Sequence, residues 1–288
     1  MQGKIVSTLG NIYTVYVNGI TCNVIPKGIF KYKNEHLCVG DNVEFDDTNF
    51  VITNIESRTN ELIRPRCANI DQLFIVMSIS EPELSIELLY KFLTYANMNG
   101  IKAKVVFTKM DLIKDDSNIK EIKNDLERIG YEVYFVNEND CSGFDVIKNT
   151  LNGKVTIFMG QTGVGKSSLI NHLSDKFNRK IGSYSAALGR GKHQTKEVVL
   201  LPFEDGFVAD TPGFSSLDLN LFKEDLAQFF PGYNSLYTQC YFSNCLHQNE
   251  KQCKIKSEID KGNLSKESYE IYLKLLNSLE YKSRRFEK

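Results

Sequence analysis

The first 62 residues carry short runs made mostly of apolar and β-branched residues. The runs cover residues 12–17, 20–25, 43–45 and 50–52. Short runs of this composition are typical of β-strands, and the Asn18-Gly19 pair between the first two runs favours a hairpin turn. A small all-β unit must close its edges. We therefore expect an OB-like barrel, with an SH3-like barrel as the second choice.

From residue 71 onward, apolar runs alternate with segments that have helical spacing. The expected strands cover residues 73–77, 103–107, 131–136 and 155–159, and the expected helices cover 84–96 and 121–129. This alternation predicts an α/β domain with a parallel sheet. A hairpin over 197–203 and 206–209 follows, and helices are expected over 221–230 and 266–279. The chain thus divides into 1-62 (barrel), 63-220 (α/β domain) and 221-288 (helical domain).

The composition favours a globular protein over a membrane-spanning or disulfide-rich one. A chain of 288 residues suits two or three domains, and 42% hydrophobic with 25% charged residues is ordinary for a globular protein. The net charge of -1 gives no general attraction to nucleic acid or membrane, and no apolar run approaches the length of a membrane span. Seven cysteines, an odd number, favour a reducing compartment over a disulfide framework. We expect a cytoplasmic protein without membrane contact.

A glycine-rich motif lies between the strand at 155–159 and a helix that starts near Ser168. It reads Gly160, Gln161, Thr162, Gly163, Val164, Gly165, Lys166, Ser167. In this setting backbone N–H groups and a helix N-terminus bind phosphate, Lys166 reaches the β- and γ-phosphates, and the Ser167 hydroxyl ligates Mg²⁺. The alternative is a structural turn. The motif predicts a nucleoside triphosphate site that includes Ser168.

A second motif, Thr108-Lys109-Met110-Asp111, follows the strand at 103–107. The pattern is that of a guanine-reading loop, in which the Asp111 carboxylate accepts hydrogen bonds from two donors that adenine lacks. A capped loop explains the tetrapeptide alone about as well, but its pairing with the P-loop favours GTP. This motif precedes the P-loop, whereas ordinary GTPases have it afterwards. The order indicates a circularly permuted domain.

Two further segments complete the predicted nucleotide site. The basic stretch 176–196 contains Gly189-Arg190-Gly191-Lys192-His193-Gln194-Thr195, and Asp210-Thr211-Pro212-Gly213 matches D-x-x-G. We expect Thr195 in the Mg²⁺ shell, Asp210 on Mg²⁺ through water, and the Gly213 N–H on the γ-phosphate. The alternative for the basic stretch is a solvated loop.

The residue after D-x-x-G indicates how water is positioned. Ras-like enzymes have a glutamine there, but this chain has Phe214, which cannot orient water. His193 is the best candidate for that role, because imidazole can accept a proton or bind water near neutral pH. The alternative is that His193 contacts a phosphate or a partner.

Three cysteines and a histidine cluster near the C-terminus. Cys240, Cys245, His247 and Cys253 lie within fourteen residues of sequence. Three thiolates and one imidazole make a closed tetrahedral Zn²⁺ site, which leaves no position for a substrate. We expect one structural zinc ion per chain, and free cysteines are the alternative.

Taken together, the motifs resemble the circularly permuted, ribosome-associated GTPases of the RsgA (YjeQ) family. The shared features are the β-barrel, the segment from Arg64-Pro65 to Gln72, T-K-x-D before the P-loop, G-R-G-x-H, D-x-P-G and C-x4-C-x-H-x5-C. The resemblance implies a GTPase that binds the small (30S) ribosomal subunit and its rRNA late in maturation, is stimulated by it, and positions water with His193. The family usually shows H-T-T where this chain has His193-Gln194-Thr195. Asn137-Glu138 lies where GTPases often have a Ser-Ala pair that contacts guanine, and neither residue matches that pair.

The expected function is GTP hydrolysis by a monomer that acts in assembly of the small subunit. One alternative is an ATP-using P-loop phosphotransferase. Guanine specificity at Asp111 would distinguish the expected GTPase from such an enzyme. The other is a non-catalytic RNA-binding scaffold, for which Phe214 is the argument. RNA binding by the barrel stays open, because only Lys27, Lys31 and Lys33 cluster there.

Overall fold

The computed structural model describes residues 1–28, 30, 36–113, 115–137, 139–173, 198–211, 217 and 221–279. The first unit contains β1 (Gln2–Leu9), β2 (Ile12–Val17), β3 (Ile20–Pro26), β4 (Asn42–Asp46) and β5 (Val51–Ile55). These strands close into a barrel in the order β1-β2-β3-β5-β4 around buried side chains such as Ile5, Val15 and Ile52. The OB-like barrel is confirmed.

A short hairpin joins the barrel to the sheet that follows. Its strands are β6 (Glu61–Ile63) and β7 (Arg66–Ala68), which the hydrophobic pattern did not predict. The fully buried Asp41 carboxylate accepts hydrogen bonds from Arg58 at 2.7 and 2.9 Å and from the Cys38 N–H at 2.8 Å. These bonds compensate a charge that would be costly to bury alone. Arg58 also forms an ion pair with Glu61 of β6, which links the hairpin to the barrel.

The second unit is a six-stranded sheet between two layers of helices. Its strands are β8 (Gln72–Ser78), β9 (Lys102–Thr108), β10 (Glu132–Phe135), β11 (Val155–Met159), β12 (Leu201–Phe203) and β13 (Gly206–Asp210). The order is β10-β9-β8-β11-β13-β12, parallel except for β12, which forms an antiparallel hairpin with β13. The helices are α1 (Ile86–Met98), α2 (Ser117–Arg128), α3 (Phe144–Asn149) and α4 (Lys166–Leu173).

Strand β8 lies within this sheet and is buried on both faces. Leu73, Ile75 and Met77 pack with α1 and α2, whereas Phe74 and Val76 pack with α3 and α4. Since every residue of β8 is buried, its hydrophobic run is continuous rather than alternating, as expected for a parallel strand.

The last unit is helical. It contains α5 (Lys223–Phe229), α6 (Lys254–Asp260) and α7 (Lys266–Ser278) around the buried rings of Phe230, Tyr233 and Tyr272. It packs on α1, where the Tyr90 and Phe230 rings stack at 5.1 Å. Within the described ranges, no helix is long and apolar enough to cross a membrane.

The barrel contacts the end of the sheet that carries β12 and β13, on the same face as α1 and α2. The Leu200 N–H donates to the Val6 carbonyl at 2.8 Å, and the rings of Tyr16 and Phe207 meet edge to face at 5.3 Å. The segment that leads into β12 is therefore hydrogen-bonded to β1 of the barrel.

Candidate functional site

The predicted nucleotide motifs follow neighbouring parallel strands of the sheet. The base-reading motif follows β9, the P-loop follows β11, and Asp210 is the last residue of β13. Strand β8 separates β9 from β11, and β13 pairs with β11 on the other side. Because the carboxyl ends of parallel strands meet at one edge, the fold brings these motifs together where α/β sheets bind ligands.

The P-loop begins with a glycine that has no room for a side chain. A Cβ on Gly160 would lie 2.1 Å from the Val76 carbonyl oxygen of β8. The loop then enters α4, and Lys166, only 6% exposed, donates to the Gly160 and Gln161 carbonyls at 2.9 and 2.7 Å. A buried ammonium group held by loop carbonyls fits a phosphate-binding lysine.

The base-reading loop is fixed to the P-loop by Thr108. The buried Thr108 hydroxyl donates to the Val164 carbonyl at 2.6 Å. A short 3₁₀ turn (Met110–Leu112) follows, and Asp111 is exposed on it. In the part of the chain that the structure describes, no hydrogen bond or ion pair engages the Asp111 carboxylate. That carboxylate is therefore available to a ligand with two donors.

A third loop follows β10 and contains Asn137. The Asn137 Nδ2 donates to the Asp140 carboxylate at 3.3 Å, and hydrogen bonds from the backbone and the side chain of Ser142 lower the pKa of that carboxyl. The next residue, Cys141, places its Sγ 3.5 Å from Nε2 of His172 on α4. This loop is thereby joined to the P-loop helix, a contact that the sequence analysis missed.

Several predicted site residues lie outside the described residues. They are Glu138, His193, Thr195, Gly213 and Phe214, together with Lys31, Lys33 and the whole basic stretch 176–196. For Asp210 the structure describes the strand backbone alone.

The four predicted zinc ligands converge in the helical unit. The ligand atoms of Cys240, Cys245, His247 and Cys253 all lie within 4.8 Å of one another. Nδ1 of His247 is 3.7 Å from the Cys240 Sγ and 3.4 Å from the Cys253 Sγ. Zinc–sulfur and zinc–nitrogen bonds of about 2.3 and 2.0 Å at tetrahedral angles require edges of about 3.5 Å. The donor set and its spacing therefore fit a zinc ion.

The surroundings of this cluster also suit a metal. Nε2 of His247 lies 3.0 Å from the Ala227 carbonyl of α5, so it can donate there while Nδ1 faces the sulfurs. Burial raises the pKa of Cys245 to about 12 and lowers the pKa of His247. A bound cation would stabilise the thiolates that burial disfavours.

Comparison with known proteins decides the family. The model of the RsgA GTPase family matches residues 55–220, and that of the RsgA N-terminal domain matches residues 2–51. The chain belongs to the RsgA GTPase family. It is thus a GTP hydrolase.

Relatives of known name cover almost the whole chain. The small ribosomal subunit biogenesis GTPase RsgA of Clostridium botulinum (strain Eklund 17B) is 37% identical over 97% of both chains. Among solved structures, YloQ, described as a circularly permuted GTPase, is 33% identical with a TM-score of 0.80, covering 96% of this chain and 93% of that one. YjeQ from Thermotoga maritima is 31% identical with a TM-score of 0.81, covering 96% and 98%.

This member of the RsgA GTPase family also has site contacts that sequence reasoning did not find. Lys109 donates to the Glu81 carbonyl, and His247 approaches the Ala227 carbonyl. Both acceptors are backbone carbonyl oxygens, which every residue type has. No sequence signal could have identified them.

Proposed function

We propose that this chain hydrolyses GTP to GDP and phosphate as a late assembly factor of the small ribosomal subunit, and that the subunit stimulates the hydrolysis. The observation that carries the nucleotide part is the bond from Thr108 to the P-loop carbonyl of Val164 at 2.6 Å, which joins the two nucleotide motifs at one sheet edge. The ribosomal part is supported by the name of the RsgA relatives.

Each described residue of the site has a proposed task. Lys109 and Asp111 bind the guanine base, while the N–H groups of the P-loop from Gly160 to Ser168 surround the phosphates. Lys166 exchanges its carbonyl partners for β- and γ-phosphate oxygens, which balance its charge better. The Ser167 hydroxyl holds Mg²⁺, which neutralises the charge that develops on the phosphates.

The remaining tasks rest on the sequence motifs. Thr195 joins Ser167 in holding Mg²⁺, Asp210 acts on the same ion through water, and the Gly213 N–H meets the γ-phosphate. Since Phe214 has no group that can bind water, His193 orients the attacking water molecule.

The other domains serve the ribosomal partner in this proposal. The barrel (1-62) contacts rRNA, the permuted domain (63-220) hydrolyses GTP, and the zinc domain (221-288) is held together by one zinc ion on Cys240, Cys245, His247 and Cys253. The protein works as a monomer in the cytoplasm.

Turnover measurements test this function. GTP hydrolysis by the full chain is compared with and without purified small subunits, and we expect stimulation by the subunit. His193→Ala should abolish most of that stimulation while GDP binding persists. Nonzero turnover that the subunit leaves unchanged would contradict stimulation, and absence of turnover in both conditions, by a chain that binds GTP, would favour the scaffold instead.

Nucleotide competition separates GTP from ATP. Adenine lacks the two donors that the Asp111 carboxylate would accept from guanine. ATP should therefore displace fluorescent GDP poorly. ATP binding as tight as GTP binding would support the phosphotransferase alternative.

A further inference from the structure

Two residues with side chains adopt the left-handed conformation at the nucleotide edge. Glu81, in the loop after β8, has φ +56°, and Lys109 has φ +60°. This region is unfavourable for residues with a Cβ atom, so the surrounding structure must stabilise it. The two residues are in direct contact, because the Lys109 ammonium donates to the Glu81 carbonyl oxygen.

The Glu81 loop also lies against both nucleotide-binding loops. The Ile79 N–H donates to the Thr108 carbonyl at 3.4 Å. On the other side, a Cβ on Gly163 of the P-loop would lie 3.7 Å from Cδ of Pro82, which is van der Waals distance. Residues 79–82 therefore lie between the base-reading loop and the P-loop, beside both.

We propose that Glu81 is a positioning residue of the nucleotide site and acts through its backbone. Its left-handed conformation turns its carbonyl toward Lys109, and the resulting bond orders the Lys109 side chain before a nucleotide binds. A side chain that is already ordered loses less entropy on binding, so affinity rises without a new contact to the ligand. The Glu81 carboxylate is exposed and is not required. The inference rests on the guanine-nucleotide site proposed above.

A matched pair of substitutions tests this role. Asparagine tolerates the left-handed region, whereas valine, which is β-branched, does not. We expect Glu81→Asn to retain the GDP affinity of the full chain and Glu81→Val to weaken it about tenfold. Equilibrium binding of fluorescent GDP measures this, and both variants lose the same carboxylate. Equal affinity in the two variants would overturn the proposal.

A second measurement separates positioning from a general loss of structure. In a Lys109→Met background the donor is absent, so the difference between Glu81→Asn and Glu81→Val should vanish. A difference that persists there would also overturn the proposal. Should Glu81→Val fail to fold, Glu81→Ala, which disfavours the left-handed region less strongly, takes its place.

The same assay distinguishes this inference from the proposed function. A wild-type chain that bound ADP as well as GDP would contradict the guanine site. A wild-type chain that prefers GDP, together with equal affinity of the asparagine and valine variants, would contradict the role of Glu81 alone.

Discussion

The hydroxyl of Thr108 donates a hydrogen bond to the carbonyl oxygen of Val164 at 2.6 Å, and both residues are buried. Thr108 ends the strand before the base-reading loop, and Val164 is inside the P-loop. The two halves of the nucleotide site, far apart in the sequence, are therefore connected by one side chain.

Replacement of Thr108 by valine keeps the shape and removes the donor. We expect Thr108→Val to destabilise the protein by about 1 to 2 kcal/mol, because the Val164 carbonyl stays buried without its partner. GDP affinity should fall as well, since the loops lose their connection. Thr108→Ser, which keeps the hydroxyl, is the control in both urea unfolding and GDP binding. Equal stability of the valine and serine variants would show that the bond contributes nothing.

The zinc cluster gives a second prediction. Cys245→Ser should lose the metal, which elemental analysis should find at about one ion per wild-type chain. Thermal unfolding should shift to lower temperature, because the ion would no longer hold the cysteines to His247, which contacts α5 through the Ala227 carbonyl. Cys22→Ser, in the barrel, should keep both zinc and stability. Zinc retained at the wild-type level in Cys245→Ser would contradict the assignment.

Much of the sheet followed from hydrophobic spacing, and the barrel only in part. The strand at 155–159 was predicted with the bounds of β11, because a parallel strand buried on both faces is uniformly apolar. Strand β1 was missed. Ile5, Val6 and Ser7 are all buried in it, and its register with β2 shifts between Ile5 and Ser7. A bulge of this kind interrupts the alternation of buried and exposed positions, so the polar Ser7 is buried and no apolar run marks the strand.

The sequence likewise predicts some residues of the candidate site and misses others. Lys166, Asp111 and the zinc ligands belong to motifs whose chemistry requires particular side chains, so the sequence predicts them. The contact between Cys141 and His172 depends on how the loop after β10 meets α4, and no fixed spacing connects the two residues. Short helices such as α3 and α6 also escaped, because six or seven residues are too few for a helical period to be clear.

Asn97 lies at the junction between the six-stranded sheet unit and the helical unit. Its Nδ2 donates to the Phe229 carbonyl at 2.9 Å, and its Oδ1 accepts from the Tyr131 hydroxyl at 3.0 Å. Asn97→Leu should destabilise the protein by about 2 kcal/mol, because two polar groups at the junction lose their partner. Urea unfolding measures this, with Asn277→Leu on the exposed side of α7 as the control, where the amide oxygen accepts one exposed hydrogen bond from Gln248 at 3.1 Å. An equal decrease in the free energy of unfolding in the two variants would mean that the junction contacts contribute little to stability.

The last prediction concerns Glu132 and pH. Burial alone would raise its pKa, but hydrogen bonds from Lys102, Lys104 and Tyr134 outweigh this and lower the pKa to about 2 from 4.5. A carboxylate whose pKa is lowered by folding stabilises the protein above its unfolded pKa. That contribution should disappear as the pH falls from about 4.5 to about 2. Since the Glu132 side chain is 40% exposed, solvent screening keeps its contribution to the free energy of unfolding modest.

Glu132→Gln removes this titration and leaves the buried Lys104 ammonium without its carboxylate. We expect wild type to be more stable than the variant at about pH 6, and the difference to shrink at about pH 3, where the wild-type carboxylate begins to protonate. The other carboxyl groups titrate in both proteins and cancel in the difference. Glu127→Gln, whose carboxylate lies 3.6 Å from Lys123 on an exposed helix face, should have little effect at either pH. A difference between wild type and Glu132→Gln that grew on acidification would have the wrong sign for a lowered pKa.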